Sequence, residues 1–136
     1  MLLLISVVPR EAGIEVIPTK AKGRILLVED ERHIRTLVAA ILKRKGHRVV
    51  EVTNGVEALR QLDRDPNFDL LITDIRMLQV DGLELTAIIH QWLPDLSILA
   101  MSAYPDEEAK ALEQGASCFL SKPFSHMKLL ETLPKF

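Results

Sequence analysis

The sequence has little of several features that define whole classes of protein. It contains one cysteine among its 136 residues, Cys118, which excludes an intrachain disulfide and any site built from several cysteines. Such a count is typical of a reducing, cytoplasmic setting. Lys and Arg number 17 against 19 Asp and Glu, and the basic residues form no block that predicts binding to nucleic acid or to a membrane surface. A role in DNA binding would therefore need another domain or another protein.

Long apolar runs are also missing. The opening run, residues 1–8, is far shorter than the roughly 20 residues that a membrane-spanning helix needs. It has no basic lead-in and no cleavage pattern of small residues, so we expect no secretory signal peptide. Prolines and glycines interrupt residues 1–23, and we predict an irregular N-terminal extension there. Residues 24–136 are expected to form one globular domain, since 48% of the chain is apolar and 26% is charged.

From residue 24 onward, strand and helix patterns alternate. Runs that are typical of strands cover residues 25–28, 48–53, 68–73, 97–101 and 118–121. Each is followed by a helical pattern, over residues 32–45, 54–63, 83–92, 105–115 and 125–133. This alternation predicts an α/β fold in which helices cover both faces of a parallel sheet. We predict a doubly wound, flavodoxin-like three-layer sandwich with the strand order 2-1-3-4-5, counted from residue 25.

Polar side chains follow the carboxyl ends of these strands. Glu29 and Asp30 follow the first strand, Asp74 the third, Ser102 the fourth and Lys122 the fifth. Ligands of open α/β sheets bind beyond the carboxyl ends, and the predicted order makes the first and third strands neighbours. Acids packed together repel one another unless a cation lies between them, and carboxylate oxygens suit Mg²⁺. With an ammonium group and a hydroxyl added, the set is able to bind a phosphoryl group.

The same strand ends carry four segments that resemble the signature segments of response-regulator receiver domains. These segments are ILLVEDE at residues 25–31, LLITDIRM at 70–77, MSAY at 101–104 and CFLSKPF at 118–124. Each has little specificity alone, but all of them stand in the order that the family requires, on successive strand ends. The resemblance covers residues 24–133.

The resemblance implies a role for each residue of the set. Asp74 would accept a phosphoryl group from a sensor histidine kinase or a histidine phosphotransfer protein. Asp30, Asp74, Glu29 and the main-chain carbonyl of Arg76 would hold Mg²⁺, with Glu29 acting mainly through water. Lys122 would pair with Asp74 at rest and with the phosphoryl oxygens afterwards.

The resemblance also implies an output. Ser102 would move to hydrogen-bond the phosphoryl group, and Phe119 would occupy the position of the aromatic switch residue. The face formed by the fourth helix, fifth strand and fifth helix would then bind a downstream protein, and a homodimer on phosphorylation is a further expected form. Direct binding to nucleic acid or membrane is not expected. The only catalysis we expect is slow self-dephosphorylation, further impeded by the bulky side chains of Arg76 and Tyr104.

The chain departs from the family pattern at several points. Leu78 stands where the family usually has proline, so the loop after Asp74 is expected to be less rigid. The first acid is Glu29 rather than aspartate, which lengthens its reach. The span from Ser102 to Lys122 is slightly short, so we expect a trimmed fourth helix, and the last helix is short as well. The sequence shows no output domain, which leaves open a stand-alone protein or a piece of a longer one.

Simpler interpretations stay open for each residue taken alone. Glu29 and Asp30 could be solvated acids at a helix N-terminus, where the helix dipole favours them. Asp74 could be a turn residue, Lys122 a surface lysine, and Phe119 an ordinary core aromatic. Their joint placement favours the phosphorylation site.

Other functions on the same fold also remain as alternatives. A hydrolase with an aspartyl-phosphate intermediate would want a second acid two residues after Asp74, where this chain has Arg76. A docking module that works without phosphorylation is a second alternative. A flavin carrier is a third, because a fold alone does not assign a function.

Overall fold

The computed structural model describes residues 3–10, 13–20 and 23–135. The strands are β1 (Leu3–Arg10), β2 (Gly13–Lys20), β3 (Arg24–Val28), β4 (Arg48–Val52), β5 (Leu70–Asp74), β6 (Ser97–Ser102) and β7 (Cys118–Ser121). The helices are α1 (Arg32–Arg44), α2 (Gly55–Arg64), α3 (Gly82–Trp92), α4 (Glu107–Gln114) and α5 (His126–Thr132). Within these ranges, none of the helices has the length and apolar character needed to cross a membrane.

The central sheet has five parallel strands in the order β4-β3-β5-β6-β7. Counted from β3, this is the predicted order 2-1-3-4-5, so the predicted fold class is confirmed. The strands β5 and β6 are buried along almost their whole length, as strands covered on both faces must be.

Two core clusters lie on opposite faces of this sheet. Successive residues of β3 alternate between the clusters, as the two-residue period of a strand requires. One cluster contains residues of α2, α3 and α4, represented by Leu62, Leu85 and Ala111. The other contains residues of α1 and α5, represented by Leu42 and Leu129. The fold is therefore a three-layer sandwich with helices on both faces.

Local hydrogen bonds explain where several helices begin. The side chains of Asn54, Asp81 and Ser125 each accept a hydrogen bond from a main-chain N–H three residues later, at 2.8, 2.9 and 3.0 Å. These bonds satisfy donors that the first helical turn leaves unpaired. The helix α4 begins at Glu107 rather than at Pro105, which lies in the preceding turn.

The two short helices match the expectation from the sequence. The helix α4 has 8 residues and α5 has 7. Gly115 ends α4 in the left-handed conformation, with φ of 116°, which a side chain would make unfavourable. The fourth helix is therefore short because it begins only at Glu107 and Gly115 ends it.

The structure corrects the prediction of an irregular segment over residues 1–23. Within this segment, β1 and β2 pair as an antiparallel sheet, with Leu3 opposite Lys20 and Arg10 opposite Gly13. Prolines interrupt the strand pattern of this segment, but both strands of a two-stranded sheet are edges, where proline is tolerated. The β-branched residues between the prolines favour strands. Residues 1, 2, 11, 12, 21 and 22 of the predicted extension lie outside the described residues.

Candidate functional site

Three carboxylates meet at the carboxyl edge of the central sheet. Glu29 follows β3 and is fully buried, Asp74 ends β5 and is buried, and Asp30 is exposed. One carboxylate oxygen from each lies within 4.8 Å of the others. The parallel pairing of β3 with β5 aligns the ends of the two strands, which brings together side chains 44 residues apart. The structure therefore joins the acids that the sequence placed at separate strand ends.

Lys122 reaches this cluster from the end of β7, the outermost strand of the sheet on that side. It follows β7, and its Nζ lies 3.0 Å from Oδ1 of Asp74 and 3.1 Å from Oε2 of Glu29. Its main-chain N–H donates to the carbonyl oxygen of Ser102 at 2.8 Å, which ties the ends of β6 and β7 together. The Lys122–Pro123 peptide bond is cis. The ion pair with Asp74 is the one that the resemblance implies for the unphosphorylated state.

Burial makes the ionised forms of the two inner acids unfavourable. Burial and then repulsion from Asp74 raise the pKa of Glu29 to about 7, although Lys122 partly offsets both effects. Burial also raises the pKa of Asp74, against the opposing hydrogen bond and charge of Lys122. Burial lowers the pKa of Lys122, but its bonds and charge interactions with Asp74 and Glu29 outweigh this and leave it raised. One ammonium group therefore does not neutralise the cluster.

The donor set fits a magnesium ion. Mg²⁺ prefers oxygen ligands and typically takes one or two protein carboxylates together with water and phosphate. The cluster offers carboxylate oxygens at short mutual distances, and burial, only partly opposed by Lys122, raises the pKa of both inner acids. Both oxygens of Glu29 already have partners, since Oε1 accepts the N–H of Glu31 at 3.1 Å and Oε2 accepts from Lys122. Asp30 is the exposed acid of the three, and Oδ1 of Asp74 binds Lys122.

The loop after Asp74 is held against the start of α3. Gly82 donates its N–H to the carbonyl oxygen of Ile75 at 2.8 Å. A Cβ added to Gly82 would overlap the carbonyl oxygen of Asp74 and lie 2.6 Å from Cα of Ile75. Only glycine allows this close approach of two backbones. Sequence reasoning missed Gly82, because the contact that requires glycine joins segments that become neighbours only in the folded chain.

The side chain of Arg76 turns toward α4. Its Nε lies 3.1 Å from Oε1 of Glu107, and its guanidinium carbon lies 4.1 Å from the centre of the Tyr104 ring. Leu78, at the position where the family usually has proline, is 83% exposed in the same loop. Its effect on the rigidity of the loop stays a prediction.

Ser102 is buried at the end of β6, next to the end of β5. Its hydroxyl donates a hydrogen bond of 2.7 Å to Oε1 of Glu107. The same oxygen of Ser102 accepts the main-chain N–H of Tyr104 at 3.0 Å. The serine thus lies at the predicted edge of the sheet, with its hydroxyl proton bound to Glu107.

Sequence reasoning did not single out Glu107. It lies in the first turn of α4, where acids favour the positive end of the helix, yet its side chain is only 7% exposed. One pattern in the sequence does point to it. Glu107 precedes the buried Ala111 by four residues, which places both on the same face of α4.

Phe119 lies on β7 and is half-buried. It packs against the core cluster that α2, α3 and α4 share. The structure thus shows it packed against the core, and its role as a switch stays a prediction.

The family described as the response regulator receiver domain matches residues 25–134. Curated relatives agree with this match. The transcriptional regulatory protein ZraR of Klebsiella oxytoca is 39% identical over 111 residues, which are 80% of this chain and 25% of the relative. The response regulator protein FleR of Pseudomonas aeruginosa is 37% identical over 115 residues, 83% of this chain and 24% of the relative. The chain thus spans about a quarter of the length of these relatives.

Solved structures share the architecture. The chemotaxis protein CheY4 of Vibrio cholerae superposes with a TM-score of 0.75 at 28% identity, covering 82% of this chain and 95% of that protein. NtrX of Brucella abortus gives a TM-score of 0.76 at 31% identity, covering 82% of this chain and 26% of NtrX. Together with the carboxylate cluster and the matching strand order, these similarities establish that the chain belongs to the response-regulator receiver domain family of two-component signalling.

Proposed function

We propose that this chain is a signalling switch that accepts a phosphoryl group on Asp74, within a receiver domain spanning residues 24–136. One observation carries the proposal. Lys122 lies 3.0 Å from Asp74 and 3.1 Å from Glu29, beside Asp30, so that the ends of three strands supply one buried, charged site. If Asp74 were only a turn residue, neither its burial nor its ion pair with Lys122 would be needed.

The site suits transfer of a phosphoryl group to a carboxylate. An oxygen of Asp74 would form a bond to phosphorus while the phosphorus–nitrogen bond of a phosphohistidine breaks and the imidazole leaves with the electron pair. A carboxylate is a weak nucleophile, so positioning and neutralisation of charge matter more than acid–base catalysis. Lys122 already lies at hydrogen-bonding distance from Asp74 and is placed to interact with the phosphoryl oxygens.

Asp30 and Asp74 would hold Mg²⁺ directly, and the main-chain carbonyl of Arg76 would be the remaining protein ligand. Glu29 would act mainly through water, because both of its oxygens already accept hydrogen bonds. When bound, the ion would supply positive charge to the carboxylates and to the phosphoryl oxygens.

A phosphoryl group on Asp74 would add negative charge and acceptor oxygens beside Ser102. We propose that Ser102 then moves toward it and that Phe119 repacks in response. This would alter the face formed by α4, β7 and α5, which would bind a downstream protein or a second copy of the chain. The phosphodonor would be a sensor histidine kinase or a histidine phosphotransfer protein, in the cytoplasm.

Sustained hydrolytic turnover is not part of this proposal. A hydrolase with the same intermediate would need an acid where this chain has Arg76, whose guanidinium is bound to Glu107. The relatives named as transcriptional regulators are about four times as long as the matched segment. We therefore propose that any effect on transcription is exerted by another domain or another protein.

Phosphorylation by acetyl phosphate tests the proposal directly. We expect the protein to gain one phosphoryl group in the presence of Mg²⁺, and to gain none after EDTA treatment or in Asp74→Asn. Asp95→Asn is the matched control, because Asp95 is an exposed acid before β6, at the opposite edge of the sheet. Intact-protein mass spectrometry measures the added mass. A wild-type protein that stays unmodified, or an Asp74→Asn variant that is still modified, would contradict the proposal.

A further inference from the structure

The hydroxyl group of Ser102 is already occupied in the structure. It donates to Oε1 of Glu107 at 2.7 Å. A hydroxyl has one proton, so it donates one hydrogen bond at a time. The hydroxyl of Ser102 is therefore able to donate a hydrogen bond to Glu107 or to a phosphoryl oxygen on Asp74, but not to both.

The bond belongs to a closed set of contacts that we call the Glu107 clasp, formed by Arg76, Ser102, Tyr104 and Glu107. Besides Ser102, Glu107 binds Nε of Arg76 at 3.1 Å. The guanidinium of Arg76 covers the Tyr104 ring, and the N–H of Tyr104 donates to Oγ of Ser102 at 3.0 Å. The clasp thus connects the loop that follows Asp74 at the end of β5 with the loop that follows Ser102 at the end of β6.

The bond between Ser102 and Glu107 has the features of a strong one. An ionised acceptor gives hydrogen bonds that are shorter and roughly twice as strong as neutral ones. Both side chains are buried, so water competes little for the hydroxyl. The neighbouring Glu108 is exposed and has the same charge, which shows that position rather than charge alone distinguishes Glu107.

We propose that Glu107 is a positioning residue that holds Ser102 in the unphosphorylated arrangement and competes with the phosphoryl group for its hydroxyl. The inference rests on the proposed phosphorylation of Asp74. When Ser102 turns to the phosphoryl oxygens, Glu107 keeps Arg76 as its partner, so the released carboxylate remains neutralised. Glu107 would thus set the fraction of molecules that switch at a given level of phosphorylation.

The test uses beryllofluoride with Mg²⁺ as a stand-in for the phosphoryl group. We expect Glu107→Gln to bind it about three- to tenfold more tightly than the wild type, because a neutral amide accepts more weakly than a carboxylate. Glu108→Gln makes the same change of charge at the next, exposed position and should bind like the wild type. Titrations followed by NMR give the affinities, and the amide of Tyr104 reports directly on Ser102 because it donates to its oxygen.

Two further variants separate the hydrogen bond from other effects. Glu107→Asp keeps the charge but shortens the reach to Ser102, so it should tighten binding as Glu107→Gln does. In a Ser102→Ala background, Glu107→Gln should no longer change the affinity, because the contested hydroxyl is gone. Urea unfolding of each variant measures stability separately, since a merely structural role would lower stability without tightening binding.

Several outcomes would overturn the inference. The first is an unchanged affinity for beryllofluoride in Glu107→Gln. The second is a Glu107→Asp variant that binds like the wild type, and the third is tighter binding by Glu107→Gln that persists in the Ser102→Ala background. The first would show that Glu107 does not compete, the second that its charge acts at a distance, and the third that it acts through Arg76. A wild type that binds beryllofluoride and takes phosphate from acetyl phosphate would leave the proposed function standing in each case. A wild type that does neither would overturn both proposals.

Discussion

The parallel strands of the central sheet all begin at one edge of the sheet, the amino edge, and all end at the other, the carboxyl edge. Both edges carry a basic residue bound to acids, but the pKa values of acids at the two edges are shifted in opposite directions. At the amino edge, the guanidinium group of Arg24 binds Asp65 at 2.6 Å and covers the Phe68 ring. The main-chain N–H of Arg24 donates a hydrogen bond of 2.8 Å to the carboxylate of Asp69. At the carboxyl edge, Lys122 lies between Asp74 and Glu29. Each edge thus has one basic residue in contact with two acids, although at the amino edge only Asp65 meets the cationic group itself.

The pKa values move in opposite directions at the two edges. A hydrogen bond from Asn67 and the bond from Arg24 lower the pKa of Asp65, which is open to water. Burial raises the pKa of Glu29 and Asp74 despite their shared lysine. The comparison shows that the surroundings, rather than the ion pair itself, decide the favoured state. The charges at the amino edge are already paired and open to water, whereas a bound cation would lower the raised pKa values at the carboxyl edge.

The largest expected difference between the edges concerns stability and pH. The pKa of Glu29 is about 7 in the folded chain, above its ordinary value of 4.5. Folding therefore favours the protonated acid, and this group costs stability above pH 7, progressively less toward pH 4.5, and nothing below. Without Mg²⁺, Glu29→Gln should raise the free energy of unfolding by roughly 2 to 3 kcal/mol at pH 8, and by little at pH 4.5.

Urea unfolding at both pH values measures this difference. Asp65→Asn is the matched control at the amino edge, where the pKa is lowered and the stabilisation is present above about pH 4. It should destabilise the protein at pH 8. A Glu29→Gln variant that is less stable than the wild type at pH 8 would contradict the comparison.

Cation binding should also distinguish the edges. Asp30 is the exposed acid of the cluster, whereas Glu29 is buried. Asp30→Asn should weaken Mg²⁺ binding at least about tenfold, since one ligand oxygen loses its charge. Asp69→Asn at the amino edge should leave the affinity unchanged. Isothermal titration with MgCl₂ measures both, and equal losses in the two variants would show that Mg²⁺ binds without regard to the cluster.

A smaller effect concerns the lifetime of the phosphorylated state. Arg76 and Tyr104 stack on each other, with 4.1 Å from guanidinium carbon to ring centre, in the loops that follow Ser102 and Asp74, the proposed phosphoacceptor. We expect their bulk to impede attacking water, so the double variant Arg76→Ala/Tyr104→Ala should lose phosphate about three- to fivefold faster, a change of under about 1 kcal/mol in the barrier. The decay of labelled protein after removal of the donor gives the rate. A faster decay in the wild type than in the variant would count against this role.

The smallest expected effect lies at the amino edge. Arg24 is partly exposed, so its ion pair with Asp65 is screened by water and salt. Arg24→Met should lower the melting temperature by no more than about 3 °C, and by less in high salt. Thermal unfolding followed by circular dichroism measures the shift. A larger loss that is insensitive to salt would mean that packing on Phe68, rather than charge, dominates at this edge.

Much of the fold and of the site followed from patterns in the sequence. Apolar runs of strand length alternate with helical periods, and these patterns depend on nearby residues alone. The strand ends carry Glu29, Asp30, Asp74 and Lys122, so the strand order was enough to predict that they meet. The caps at Asn54 and Asp81 were also readable, because a cap and the N–H it binds lie three residues apart.

The errors and omissions arose where distant segments decide the outcome. The pairing of β1 with β2 depends on two segments together, and the prolines of one segment do not reveal that it is an edge strand. Gly82 is required by its approach to Asp74, and Glu107 is buried by its contacts with Ser102 and Arg76. The spacing from Glu107 to Ala111 indicates a shared face of α4, but no local pattern specifies which residues Glu107 or Gly82 contacts.

Composition and periodicity were sufficient to predict the five strands of the central sheet, its helices and the residue types at each strand end. The tertiary structure added the surroundings of those residues: which acid is buried, which oxygens are already bound, and which of several glutamates turns inward. Burial and the close approach of remote side chains set these properties, because the free energy of a charge depends on how much water and how many partners surround it.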